Sequence, residues 1–204
     1  MIMKDLTLLV VGLFLVLNLT AQDEPKPFQF KFFPSIHFGF FTNNDAVNEF
    51  IAEDLSNYNI LKGTTDVIMS FNLGLGVGLR FANLVEVQPL LEYSLAPKVI
   101  SGADKNYNFN KFSGGAIANF LIPLSANRKN SILVGAGIMY NSMSFDEFSA
   151  SGINPRFQIG YSMNNNRFNP QIILAADLAK GKDEKHENFE LNYTSIRFGV
   201  NLNF

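Results

Sequence analysis

Polar and apolar residues alternate along most of this chain. From the first clear run, Phe28, Phe30, Phe32, Pro34, Ile36, Phe38 and Phe40 share one side of a period-two pattern, and Gln29, Lys31, Phe33, Ser35, His37 and Gly39 share the other. Successive side chains of a β-strand point to opposite faces, so strict alternation predicts a strand with two differently solvated sides. The pattern returns around 66–81, 85–95, 111–122, 132–141, 153–163, 168–179 and 195–204. The expectation is an all-β chain of eight antiparallel strands. The connections between them alternate in length: 43–65, 82–83, 96–106, 125–130, 144–152, 164–167 and 180–188. Long and short connections in succession match an up-and-down transmembrane β-barrel, with tight turns at the periplasmic side and longer loops outside.

Alternation alone does not say which face meets lipid. A secreted soluble barrel would turn its apolar face inward and cover its polar face densely with Lys, Glu and Thr. Here the polar face is thin in charge and rich in Gly, Asn, Gln and Ser, as suits a narrow lumen that side chains must fill. The apolar face carries no charge on any of the eight strands. Lys or Arg there would cost about 2–4 kcal/mol at a bilayer midplane. A closed barrel is also the one β structure that leaves no backbone unpaired in hydrocarbon. Pro34, Pro89, Pro155 and Pro170 oppose the assignment, since each removes a ladder hydrogen bond, and bulges or strand ends are expected at them.

The lumen face predicts a polar network of Lys31, His37, Asp66, Arg80, Glu86, Glu92, Lys111, Arg156, Asp177 and Arg197. Folding each hairpin about its turn sets Arg80 against Glu86, Glu92 against Lys111, Asn154 near Asp177 and Gln171 near Arg197. Opposite charges across strands stabilise pairing, and unpaired charges in a narrow interior are costly. A packing network is the structural expectation, and a narrow polar path is the functional one.

The first residues change the picture of location. Leu6 to Leu19 is apolar apart from Thr7, Gly12 and Asn18, and Thr20-Ala21-Gln22 offers a small residue before the polar Asp23-Glu24-Pro25-Lys26-Pro27. This predicts a signal peptide at 1–21, cleaved near Ala21, then a short periplasmic lead at 22–27 and the barrel at 28–204. An uncleaved anchor is the alternative. A net charge of −2 without a basic stripe gives no reason to expect nucleic-acid binding. The absence of Cys excludes disulfides, thiolate metal sites, Cys nucleophiles and a lipidated Cys.

Candidate chemistry is sparse. His37 shares a face with Ser35, with Ser70 across from it, and a Ser–His–acid site with Asp66 would make a membrane-embedded lipid-modifying enzyme. No distinctive spacing supports it, so no catalytic residue, cofactor or metal is expected. His186 lies in the charged segment 180–187, which reads as a solvated loop. In the first connection, Val47, Phe50, Ile51, Leu55 and Tyr58 recur at helical spacing. That predicts an amphipathic lid over the outer mouth, with an extracellular or envelope protein partner at 43–65 as the alternative.

The Leu19-Thr20-Ala21-Gln22 end of the leader resembles exported proteins of Bacteroidota. The closing strand Ser195 to Phe204 resembles the terminal aromatic signal recognised by the barrel-assembly machinery, with Phe204 last. Together with the barrel pattern, these resemble the PorT-like outer-membrane β-barrel family and, more loosely, small eight-stranded OmpX/OmpA-type barrels. The resemblance implies a monomeric, multi-pass protein of the Gram-negative outer membrane, surrounded by lipid and lipopolysaccharide. It carries fold and location only. A structural or interaction role exposed through outer loops is the expectation, with a small-solute channel as the rival.

Overall fold

Eight strands form because the period-two pattern persists for long enough to close a ring. The computed structural model describes residues 27–41, 68–99, 106–124, 129–145, 148–163, 169–183 and 190–204. The expected leader, the lead segment up to residue 26, the lid at 43–65, Asp66 and His186 lie outside them. The strands are β1 (Phe28–Phe41), β2 (Ile68–Phe81), β3 (Val85–Val99), β4 (Asn106–Pro123), β5 (Asn130–Phe145), β6 (Phe148–Met163), β7 (Asn169–Lys182) and β8 (Glu190–Asn203). They follow one another round a closed antiparallel barrel, with β8 paired back on β1.

The ring is staggered. Stepping across paired residues from Phe30 leads through Leu79, Val87, Ala118, Ala136, Phe157, Ala176 and Ile196 to Phe40, ten residues further along β1. Such a stagger tilts the strands, and at eight strands the interior is just wide enough for side chains to fill. All nine residues on this path belong to the outward apolar set.

The faces are as the alternation predicts. Phe30 is 64% exposed and Ile153 72%, whereas Arg80 and Glu86 are fully buried. The outward belt contains no charged residue between Phe28 and Phe40 on β1, Phe112 and Ile122 on β4, Ile132 and Tyr140 on β5, or Ile196 and Phe204 on β8.

Three expectations about the connections are corrected. The connection after β3 spans only 100–105 rather than 96–106, β5 and β6 are separated by only 146–147 rather than 144–152, and β7 runs on to Lys182, so that 183–189 rather than 180–188 joins it to β8. The strands run on because alternation continues there with its sides exchanged. Outward positions become Asn108, Asn110, Ser142, Ser144, Ser149, Ser151, Lys180 and Asn192, while Tyr107, Phe109, Met143, Phe145, Ala150, Ala179 and Tyr193 turn inward. A window tuned to apolar-outside sees this polarity reversal as loop.

The four prolines each coincide with a lapse in a ladder, without a bulge. The β1–β8 ladder stops at Ser35, beside Pro34, and the β6–β7 ladder runs only from Arg156 to Ser162, paired with Asp177 to Gln171, between Pro155 and Pro170. The β2–β3 ladder skips Val77 and Gly78 opposite Gln88 and Pro89 and resumes in the same register. Proline has no N–H to donate, and a lapse accommodates it. The β2–β3 turn is tight: Leu84 N donates to Phe81 O at 3.0 Å, and Ala82 and Asn83 have φ of 49° and 55°. Positive φ at both central residues is the type I′ hairpin turn, whose twist matches that of the strands.

Candidate functional site: the filled lumen

Inward side chains of the barrel build three storeys. The storey beside the β2–β3 turn is centred on Glu86. Three residues, 82–84, connect the strands and set Phe81 opposite Val85, so Arg80 stands directly opposite Glu86 and donates from Nε to Oε2 at 2.5 Å. Glu86 Oε1 accepts from Gln88 Nε2 at 2.5 Å and from Gln171 Nε2 at 2.8 Å. Gln158 donates to Asn119 Oδ1 at 2.7 Å and to Gln88 Oε1 at 3.3 Å. A carboxylate removed from water is thus served by one guanidinium and two amides, the pairing a buried charge requires.

The middle storey crosses the barrel. Glu92 on β3 receives Arg156 Nη1 from β6 at 2.5 Å and Arg197 Nη1 from β8 at 3.1 Å, both on Oε2. Its other oxygen lies 3.5 Å from His37 Nδ1. Asp177 Oδ2 receives Lys111 Nζ at 2.5 Å and Arg156 Nη2 at 3.0 Å, so Arg156 bridges the two carboxylates. Asn201 links the storeys: its Oδ1 is 3.1 Å from His37 Nε2, and its amide donates to Gln171 Oε1 at 3.3 Å.

The third storey is aromatic. Phe41, Tyr107, Phe109, Phe145, Phe148 and Tyr193 are buried with Ala96, Met143, Ala150, Ala179 and Leu191 in one cluster. Phe109 stacks on Phe145 at 4.4 Å between centroids and meets the edge of Tyr193 at 4.6 Å. The Tyr193 hydroxyl donates to the carbonyls of Asn110 and Ser144 at 3.0 and 3.1 Å, so its polar end is satisfied inside an apolar layer.

Nine of the expected lumen residues point inward and are buried: Lys31, His37, Arg80, Glu86, Glu92, Lys111, Arg156, Asp177 and Arg197. Asp66 is outside the described residues. Of the four expected pairings, Arg80 with Glu86 holds. The others shift. Glu92 lies opposite Ser113 and Lys111 opposite Ser94, while Arg156 rather than Asn154 faces Asp177. Gln171 faces Asn201, and Arg197 faces Ala175. Each error follows from hairpin ends placed at the wrong residue. Asn154 instead donates to Lys180 O at 3.1 Å, across a stretch where the β6–β7 ladder has lapsed.

The imagined Ser–His–acid arrangement does not assemble among the described residues. Both ring nitrogens of His37 face Glu92 and Asn201, and Ser35 Oγ makes no hydrogen bond. A Cβ at Gly199 would collide with the imidazole and with Ile36 O, so this glycine makes the room that His37 occupies. No group of three or more His, Asp or Glu that could hold a metal occurs among the described residues. The amides Gln88, Asn119, Gln158 and Asn201 and the aromatic storey were not singled out from sequence. The exchange of Asn108 and Asn110 with Tyr107 and Phe109 was the available signal for the latter.

No family model matches the chain, and no curated protein matches it either. Among solved structures, the chain is similar to Neisserial surface protein A (NspA), with a TM-score of 0.58 and 14% identity over 89% of this chain and 98% of that one. It is also similar to Ail, the attachment invasion locus protein of Yersinia pestis, solved with the heparin analogue sucrose octasulfate, with a TM-score of 0.39 and 15% identity over 86% of this chain and 99% of that one. The likeness to NspA is one of fold.

Proposed function

We propose that this chain is an integral outer-membrane β-barrel protein of a Gram-negative cell with a structural or interaction role and no enzymatic activity. One observation carries the proposal: a continuous outward belt of Phe, Leu, Ile and Val, free of charge, ends on β4 to β8 in a collar of Ser, Asn and Lys. Water on the outside of the whole barrel would leave that belt as an exposed apolar surface far beyond what soluble monomers carry. Hydrocarbon round the belt and water round the collar satisfy both halves. NspA is named as a surface protein, which supports the same assignment through fold alone.

In this arrangement residues 1–21 are a cleaved signal peptide, and β8 is an element presented to the barrel-assembly machinery. Lipid and lipopolysaccharide surround the monomer, the 82–83 turn faces the periplasm, and the collar stands outside. The segment 43–65 and the other outer connections are where an extracellular or envelope protein would be engaged. Membership of the PorT-like group of Bacteroidota is the finer assignment, resting on the leader end and the closing strand.

Transport is the weaker role because the lumen is occupied from its ion pairs to its aromatic storey. Membrane fractionation of the expressing cell tests the location. Recovery in the outer membrane, with heat-dependent gel mobility, is expected. A monomer that stays dispersed in buffer without detergent overturns it. Planar bilayers test the role: negligible conductance is expected, and a steady open level would make the chain a channel. Loss of lipid modification on changing His37→Ala, against a labelled lipid, would make it an enzyme.

A further inference from the structure

The belt is not uniformly smooth. On the outer wall of β1 to β4 lies a hollow of about 370 Å³, rimmed by Phe32, Leu75, Val77, Pro89, Leu91 and Gly114. Three independent features shape it. The β2–β3 ladder lapses there, at Val77 and Gly78 against Gln88 and Pro89. The wall is thin, because Gly76 and Gly115 supply no side chain on its inner surface. Behind the wall, on its lumen side, sits an apolar cluster of Phe33, Leu90, Ile117 and Met139. The Phe33 ring lies against Gly76 where any larger residue would collide with it. The hollow is therefore backed on both sides of the sheet by carbon.

We propose that this hollow is a seat for a single acyl chain of a surrounding membrane lipid. The inference rests on the outer-membrane assignment above and adds a preferred position on the belt. The hollow opens within the lipid-facing surface, between Phe32, Leu75 and Leu91, which are themselves belt residues. An open apolar depression left unfilled forfeits the dispersion contacts of its lining. In a bilayer, methylene groups are the matter at hand to restore them. Pro89 and the absence of a side chain at Gly114 keep the depression from being closed by rotamer changes in the wall.

The test is photolabelling in vesicles of phosphatidylethanolamine and phosphatidylglycerol doped with a phospholipid that carries a diazirine midway along one acyl chain. Illumination and peptide mapping should place several-fold more label on the 75–91 stretch than on the 157–174 stretch across the barrel. Gly114→Leu should bring the two to equal density. Gly114→Ala, whose added carbon would meet only the flexible end of Leu91 at 3.0 Å, gives a milder filling if the leucine variant does not fold. Equal label round the belt in the unchanged protein, or excess label that survives both variants, would overturn the seat while leaving the membrane assignment intact. No label on any strand would overturn that assignment, and the seat with it.

Discussion

Arg156 reaches Glu92 from the opposite wall of the barrel: β6 and β3 are not neighbours, yet Nη1 and Oε2 are 2.5 Å apart and both side chains are almost wholly buried. The pair ties two strands that no backbone ladder joins. Removing one partner of a buried pair leaves the other charge unsolvated and costs about 3–5 kcal/mol. Arg156→Met should therefore lower the urea midpoint of the detergent-folded protein strongly. Adding Glu92→Gln should restore part of the loss, and strictly additive effects would show that the two groups are not coupled.

The lumen should remain closed when its aromatic storey alone is opened. Phe109→Ala with Tyr193→Ala removes two rings of the cluster but leaves the Glu92 and Asp177 ion pairs below it. Single-channel recordings should stay silent for this variant. An ohmic current would mean that the aromatic storey is the sole barrier.

The edge of the belt is open to direct mapping, since the chain has no Cys to interfere. Ser142→Cys and Ser151→Cys sit in the collar, paired across β5 and β6, and Ile138→Cys and Phe157→Cys sit in the belt. A membrane-impermeant maleimide should modify the first two in reconstituted vesicles oriented collar-outward, and spare the second two. Equal modification at all four would remove the boundary.

A charge in the belt should be penalised and a charge in the collar should not. Leu174→Arg, outward on β7, should cost about 2–4 kcal/mol in folding from urea into lipid vesicles. Ser144→Arg, outward on the extended part of β5, should be close to neutral.

Much of this is legible in the sequence, for a physical reason. A strand between lipid and a polar lumen must alternate, so eight strands and their facing follow from the residues alone. The Arg80–Glu86 contact was legible too, because both residues stand within three positions of a tight turn, where the register has little room to drift. The neighbours of Glu92 were not. Above Phe112 and Ser94 the polarity of the two faces exchanges, and strand continued where alternation of the expected sense stopped. A hairpin folded two residues early sends Glu92 to Lys111 instead of Ser113. The contacts of Arg156 and Arg197 with Glu92 cross the barrel, and pairwise folding of adjacent strands cannot reach them.

The turn that fixes that register carries strain of its own. Ala82 adopts φ of 49°, where a side chain costs on the order of 1–2 kcal/mol. Ala82→Gly should raise stability by about 1 kcal/mol, read as a higher urea midpoint with the same folded spectrum. A lower midpoint would show that the buried methyl outweighs the backbone.

The rings packed above the belt draw side chains from β1, β3, β4, β5, β6, β7 and β8 into one solid layer. The strand ends that launch the outer connections are thereby clamped at set separations, whatever the connections contain. Peptide epitopes grafted in place of 100–105 or 184–189 would then be displayed from a stiff pedestal, and their length and sequence could diverge without being felt by the ion pairs two storeys beneath.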